Sequence, residues 1–70
     1  MLITDLDYVI EKVVKEKESI YSCIIFLDCD NDNWTMTVAY PCGLRCEEFN
    51  LGFCNSKFDL ATKIRRAFRK

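Results

Sequence analysis

Three aspartates at alternate positions follow an apolar run in the stretch IIFLDCDNDNW, residues 24–34. Asp28, Asp30 and Asp32 could serve three kinds of chemistry. Alternating carboxylates ligate calcium, an Asp-x-Asp pair after a strand supplies a nucleophile and its acid/base, and Asp-rich segments form turns. The residues around them separate these three interpretations.

A calcium loop of the EF-hand type would use the three aspartates as its first, third and fifth ligands. Its sixth position requires Gly and its twelfth a bidentate Glu, but this chain has Asn33 and Ala39 there. The flanking segments also have the composition of strands rather than helices. The sequence therefore predicts no metal at the aspartates.

The segment IIFLDCD resembles the first motif of the haloacid-dehalogenase phosphatases, which implies Asp28 as nucleophile and Asp30 as acid/base. That family needs a parallel sheet and further motifs in a much longer chain, so the match is interpreted as coincidence. The chain has no histidine and only two glycines, so neither a Ser–His or Cys–His pair nor a Gly-rich phosphate loop is available. We expect no enzyme, no catalytic residue and no cofactor.

The thiols raise a separate question of metal binding. Their number is odd and no export signal is visible, which favours reduced thiols in a cytoplasmic protein. The alternative is a zinc site built from Cys42, Cys46, Cys54 and one more thiol, but zinc pairs usually have other spacings and often recruit histidine. We therefore expect no metal. The cysteines are Cys23, Cys29, Cys42, Cys46 and Cys54.

The length of 70 residues predicts a single small domain, residues 1–70, with a thin margin of stability. Half of the residues are hydrophobic and 13% are aromatic, so some apolar side chains should remain on the surface. A partner interface or a homodimer is the expected use of such a surface. No apolar run approaches the roughly 20 residues of a membrane span, so no membrane association is expected.

Helices are predicted at both ends of the chain. A capping Thr4 starts the first, and the charged run KEKES, residues 15–19, should fray its end. Asn55 or Ser56 should cap the last helix. The first helix has its apolar stripe at i, i+3, i+4, i+7 and i+8, namely Leu6, Val9, Ile10, Val13 and Val14. The last has Leu60, Ala61, Ile64, Ala67 and Phe68.

Three strands are predicted between the helices, at residues 20–27, 33–40 and 44–53. The first is apolar on both faces, as in a central strand. The second alternates, with Trp34 to Tyr40 forming one apolar face, and the Asp/Asn segment before it predicts a hairpin turn. The third loses its alternation at Glu47 and Glu48, where we expect a bulge. The predicted fold is α+β, in the order α-β-β-β-α, with a three-stranded antiparallel sheet and both helices on one face.

Charge is distributed unevenly along the chain: residues 1–32 carry −5 and residues 33–70 carry +4, which sum to the net −1. The acidic hairpin predicts contact with a protein that has a basic surface, a nucleic-acid-processing enzyme being one such class. The residues expected in that contact are Asp28, Asp30, Asp32, Glu47 and Glu48.

The order, size and acidic turn resemble the small phage-encoded anti-CRISPR proteins of the type II-A kind. These are acidic α-β-β-β-α domains that occupy the DNA-reading site of a guide-RNA nuclease. The resemblance rests on form, without a shared motif. It implies a non-catalytic inhibitor or regulator that acts by protein–protein contact in the cytoplasm of the host.

The element order also resembles the double-stranded RNA-binding domain, whose last helix begins with Ser-Lys-Lys and meets phosphates. Here Ser56 and Lys57 are followed by Phe58, and the hairpin is acidic where that family needs a turn that approaches RNA. Nucleic-acid binding is therefore the alternative function. Its residues would be Lys57, Lys63, Arg65, Arg66, Arg69 and Lys70.

Overall fold

The computed structural model describes residues 3–41 and 45–69, except for the side chain of Ile3. Within these ranges the elements follow the order α-β-β-β-α, and the predicted α+β class is confirmed. The predictions that concern Cys42, Leu44 and Lys70 lie outside the described residues.

The first helix, α1, has three segments: α-helical Ile3–Val9, π-helical Ile10–Val14 and α-helical Lys15–Tyr21. Its predicted apolar stripe is confirmed, since Val9, Val13 and Val14 are buried. Two details of the prediction are wrong. Thr4 lies inside the helix rather than before it, and the charged run continues the helix rather than fraying it. The aromatic contact of Tyr21 with the last helix holds this end in place.

The first strand begins later than predicted, at Ile24 rather than Ile20, because α1 continues to Tyr21. Ser22 adopts the left-handed conformation, with φ 51°, and its N–H and that of Cys23 both donate to the carbonyl of Glu18. Ile20 and Tyr21 are therefore the last helical residues, although their types favour strands. Helical hydrogen bonding and the packing of Tyr21 override that local preference.

The sheet consists of β1, Ile24–Asp30, β2, Asn33–Tyr40, and β3, Arg45–Phe53. It is antiparallel in the order β1-β2-β3, so β2 is the central strand and the prediction of a central first strand is wrong. Apolar residues on both faces of β1 suggested that both faces are buried, as in a central strand. In the structure the helices cover only one face of β1, and the other face remains exposed. Ile24 and Phe26 on that face are 55% and 57% exposed.

The bulge lies later in β3 than predicted. Glu47 and Glu48 pair regularly with Val38 and Thr37, and the register shifts instead between Trp34 and Thr35 of β2. Opposite that step, Gly52 has φ 75° and its N–H donates to Asn50 Oδ1 at 3.0 Å. Positive φ is a conformation that glycine adopts without steric cost, so the bulge forms where the glycine is.

The last helix, α2, spans Lys57–Ala67. Ser56 is its cap, because its Oγ accepts a hydrogen bond from the N–H of Asp59 at 3.1 Å. The predicted stripe is confirmed at its centre, where Leu60, Ala61 and Ile64 are buried.

The two helices run side by side in the same direction on one face of the sheet. Tyr8 meets Phe58 near their starts and Tyr21 stacks on Phe68 at their ends. The β2 residues that face them form the predicted floor of the core. The buried residues of the core are Val9, Val13, Val14, Cys23, Ile25, Trp34, Met36, Val38, Leu51, Cys54, Leu60, Ala61 and Ile64.

Candidate binding surfaces

The tip of the β1–β2 hairpin is a two-residue turn. Asn31 and Asp32 have φ values of 52° and 63°, as in a type I′ turn, which matches the twist of the flanking strands. The carbonyl of Asp32 accepts a hydrogen bond from the N–H of Cys54 at 3.1 Å, which ties the tip to the end of the sheet. These are backbone interactions, so the turn does not depend on the carboxylates.

The carboxylates of Asp28, Asp30 and Asp32 form no ion pair or side-chain hydrogen bond with any described residue. All three residues are exposed. Asp28 and Asp30 are two positions apart on β1, so their side chains leave the same face of the sheet. They are fully available to a partner.

The face of the sheet opposite the helices, the outer sheet face, carries an unusual mixture of side chains. Its carboxylates are Asp28, Asp30 and Glu48, and none of the described residues on it is Lys or Arg. Its positions, assigned from the alternation along each strand, are Ile24, Phe26, Asp28, Asp30, Asn33, Thr35, Thr37, Ala39, Cys46, Glu48, Asn50 and Phe53.

Large apolar side chains lie uncovered on the outer sheet face. Ile24 and Phe26 of β1 are joined by Phe53 of β3, which is 56% exposed. Phe53 lies opposite Asn33, next to the hairpin tip, and Phe26 lies further along β1. The apolar residues therefore flank the carboxylates on the same surface.

Glu47 is separated from the other predicted contact residues. It lies opposite Val38, on the helix side of the sheet, and its carboxylate pairs with Arg45 at 2.9 Å. The structure thus brings Asp28, Asp30 and Glu48 onto one face, puts Asp32 at the tip, and directs Glu47 elsewhere.

The predicted nucleic-acid-binding residues are spread along α2, and two of them are engaged in local contacts. Lys57 lies 3.9 Å from Asp5 and over the ring of Tyr8, at 4.7 Å from its centroid. Lys63 pairs with Asp59 at 3.4 Å and also donates to the carbonyl of Phe53.

The remaining described members of that set are Arg65, Arg66 and Arg69, which lie at the other end of α2. Lys57 and Arg66 are about 14 Å apart along the helix axis, at 1.5 Å per residue. Lys63 and Arg66 line a common hollow of about 310 Å³ beside β3, so Lys57 is the member of the set that lies apart from the arginines.

A groove of about 520 Å³ lies between the C-terminal ends of the two helices. We call it the basic groove. Its cations are Lys17, Arg65, Arg66 and Arg69, and its aromatic residues are Tyr21 and Phe68. Sequence reasoning missed Lys17, Tyr21 and Phe68 as site residues. The i, i+4 spacing of Lys17 and Tyr21 was a usable signal, but Tyr21 was placed in a strand.

The described thiols fall into two classes. Cys23 and Cys54 are buried, and burial raises the pKa of each, whereas Cys29 and Cys46 are exposed. Cys46 and Cys54 lie near opposite ends of β3, about 25 Å apart at 3.3 Å per residue. They cannot share one metal ion, and residues 3–41 and 45–69 contain no group of three or more ligating side chains placed to hold one.

No helix in the described part of the chain has the length and apolar character to cross a membrane. No family model, curated protein or solved structure matches the chain.

Proposed function

We propose that this protein is a non-catalytic binding protein whose outer sheet face and hairpin tip dock on the basic surface of a protein partner, which it inhibits or regulates. The observation that carries the proposal is the composition of the outer sheet face. Exposed Ile24, Phe26 and Phe53 lie beside unpaired carboxylates, and no described cation lies among them.

The apolar side chains supply the affinity in this proposal. Full burial of one large apolar side chain is worth about 1.5–3 kcal/mol, and three of them remain exposed on this face. The carboxylates supply steering and specificity, because unpaired surface charges accelerate encounter with an oppositely charged surface. Apolar anchors bordered by charge are the usual anatomy of a protein–protein interface.

The size of the face indicates a concave partner. A standard interface buries about 800 Å² per protein, which is about a sixth of this protein's 4903 Å² surface. Three strands spaced by about 4.8 Å give a face only about 10 Å wide between its outer strands. A partner must therefore also enclose the hairpin tip, as a groove does.

A second copy of this chain does not fit the face. A twofold dimer places the same patch on both sides of the interface. The carboxylates of Asp28 and Asp30 would then be buried against a face on which no described residue is Lys or Arg, and burial of a charge without a partner is destabilising. A basic groove that otherwise binds the phosphate backbone has the complementary charge, so we propose a nucleic-acid-processing enzyme as the partner class.

The experiment compares Asp30→Lys with Glu16→Lys. Both variants reverse one exposed, unpaired carboxylate, but Glu16 lies on α1. The wild-type protein would serve as bait in a nuclease-treated host lysate, and the captured protein would be purified and titrated by calorimetry with the wild type and both variants. We expect Asp30→Lys to weaken binding about tenfold or more and Glu16→Lys to leave it within about twofold. Unchanged affinity of the Asp30→Lys variant would refute the proposed site.

Nucleic-acid binding in the manner of a double-stranded RNA-binding domain has less support. Lys57, at the start of α2, is engaged by Asp5 and Tyr8, and the hairpin tip is acidic. A gel-shift series over several salt concentrations tests it directly, since phosphate contacts give a steep salt dependence. The described members of the predicted set that have no carboxylate partner, Arg65, Arg66 and Arg69, line the basic groove instead.

A further inference from the structure

We propose that the basic groove is a second binding site, for a ligand that carries phosphate next to a nucleobase. A free nucleotide and an exposed nucleotide of single-stranded nucleic acid both have this chemistry. The site lies on the helix side of the sheet, so it is independent of the outer sheet face.

The parallel arrangement of the helices creates the groove. Tyr21 ends α1 and Phe68 follows α2, and their rings stack with centroids 5.1 Å apart and planes inclined by 26°. Phe68 is anchored from the sheet by Phe49, whose ring centroid is 6.5 Å away. The floor of the groove is therefore a fixed aromatic pair.

The cations of the groove differ from most other cations of the protein. Lys15, Arg45, Lys57 and Lys63 each have a carboxylate within 4 Å. In contrast, none of the groove cations pairs with a carboxylate of the described residues. The groove cations are Lys17, Arg65, Arg66 and Arg69.

Stabilisation of the helix ends does not account for this much charge. A helix C-terminus carries the equivalent of about −0.5 elementary charge, so two adjacent ends amount to about −1. Four cations line the groove, which leaves an excess of about +3 after both helix ends are offset. This excess is available to the phosphates of a ligand.

The aromatic pair selects for a planar group beside the phosphates. Tyr21 uses one ring face against Phe68 and is still 42% exposed. Nucleobases stack on exposed aromatic rings, and arginines beside the ring hold the phosphates. The volume of about 520 Å³ is within the range of about 300–1,000 Å³ typical of small-ligand sites.

The test titrates the protein with three probes and follows the amide resonances of Tyr21 and Arg65. The probes are tripolyphosphate, ATP and a short oligothymidylate. We expect ATP, oligothymidylate or both to bind about tenfold more tightly than tripolyphosphate, because only they can stack on Tyr21. Preference for ATP would identify a free nucleotide, and preference for oligothymidylate would identify single-stranded nucleic acid.

Variants locate the binding. Arg65→Ala/Arg69→Ala should lose about tenfold or more in affinity, while Lys12→Ala/Lys15→Ala, which removes the same charge outside the groove, should lose little. Tyr21→Ala should abolish the advantage over tripolyphosphate, and Tyr21→Phe should preserve it. Asp30→Lys, on the outer sheet face, should bind all probes at least as well as the wild type does. Probe binding by the basic groove is therefore tested independently of the proposed function of the outer sheet face.

Three results would overturn the proposal. The first is the absence of saturable binding of any probe. The second is equal binding of ATP, oligothymidylate and tripolyphosphate, unaffected by Tyr21→Ala. The third is an equal loss of affinity in the two double variants, which would indicate a general attraction of anions to the helices.

Discussion

The carboxylate of Glu18 accepts a hydrogen bond from the backbone N–H of Ile25 at 2.8 Å. Ile25 is in β1, an edge strand, and this N–H points away from β2 because its acceptor lies in α1. Unpaired N–H groups on an edge strand favour pairing with another chain. Glu18 therefore joins the helix to the sheet and covers one position of the free edge.

The first prediction is that Glu18→Ala destabilises the protein by about 1–2 kcal/mol. Hydrogen bonds to charged groups contribute about 1.5–3 kcal/mol, and the lower value is expected because this hydrogen bond is only partly buried. Urea denaturation measures the change. Uncovering the N–H of Ile25 should also increase self-association through β1, which sedimentation velocity over a range of concentrations would detect.

Glu16→Ala is the matched control, because it removes a carboxylate from the same helical segment without a hydrogen-bond partner among the described residues. It should change the free energy of unfolding by less than about 0.5 kcal/mol. Equal effects of the two substitutions would show that the charge of the helix, rather than the contact with Ile25, is responsible.

The sequence indicates that Glu18 contacts the sheet, but a search for periodic apolar residues alone does not include it. Leu6, Ile10, Val14 and Glu18 follow one another at i+4 spacing, and all four line the same cleft beside β1. A carboxylate that continues an apolar row requires a partner on the neighbouring element. The residue types do not reveal that this partner is a backbone N–H, because that depends on where β1 begins.

The element order was predictable because both helices have a periodic apolar stripe, the second strand alternates along its length, and Asp/Asn chemistry located the turn. The sequence did not predict which strand is central or which face of the sheet remains exposed. Ile24 and Phe26 have the composition of core residues, and only the packing of both helices on the opposite face leaves them exposed. The basic groove likewise requires the helices to be parallel, a relationship that no local pattern encodes.

The second prediction concerns the left-handed conformation of Asp32, which has φ 63°. Asp32→Gly should stabilise the protein by about 0.5–1 kcal/mol, because Asn-Gly is the preferred pair for a type I′ turn. If Asp32 contributes to partner binding, the same substitution should weaken that binding. A rise in the melting temperature with a fall in affinity would show that Asp32 favours partner binding at the expense of the stability of the fold.

Asp30→Gly provides the contrast, because Asp30 is a strand residue outside the positive-φ region. Glycine there should destabilise the protein by about 0.5–1 kcal/mol. Stabilisation by both substitutions would show that loss of negative charge, rather than turn geometry, is responsible.

The third prediction concerns thiol reactivity in the native protein. Cys29 and Cys46 are exposed, whereas Cys23 and Cys54 are buried with raised pKa values, and the thiolate is the reactive form. Brief treatment with iodoacetamide at neutral pH should alkylate Cys29 and Cys46 at least about tenfold faster than the buried pair. Peptide mapping by mass spectrometry measures each site, and equal rates for all four would contradict the packing of Cys23 and Cys54.

The fourth prediction is a loss of stability in alkali. Burial, the largest cause, raises the pKa of Cys23 and Cys54 above the ordinary value of 9.0. Below that value the thiols are neutral in both states, and their contribution to stability is fully present. As the pH rises towards the raised folded-state pKa, the unfolded chain ionises first and binds fewer protons, so the free energy of unfolding falls.

Urea denaturation between about pH 7.5 and about pH 9.5 measures this slope. The variant Cys23→Ala/Cys54→Ala is less stable at every pH because it leaves small cavities, but its slope should be shallower, and the slope is the quantity compared. The chosen range ends below the ordinary tyrosine value of 10.0, which limits the contribution of Tyr40, whose pKa is also raised by burial. Parallel slopes in the two proteins would show that the buried thiols do not cause the alkaline loss of stability.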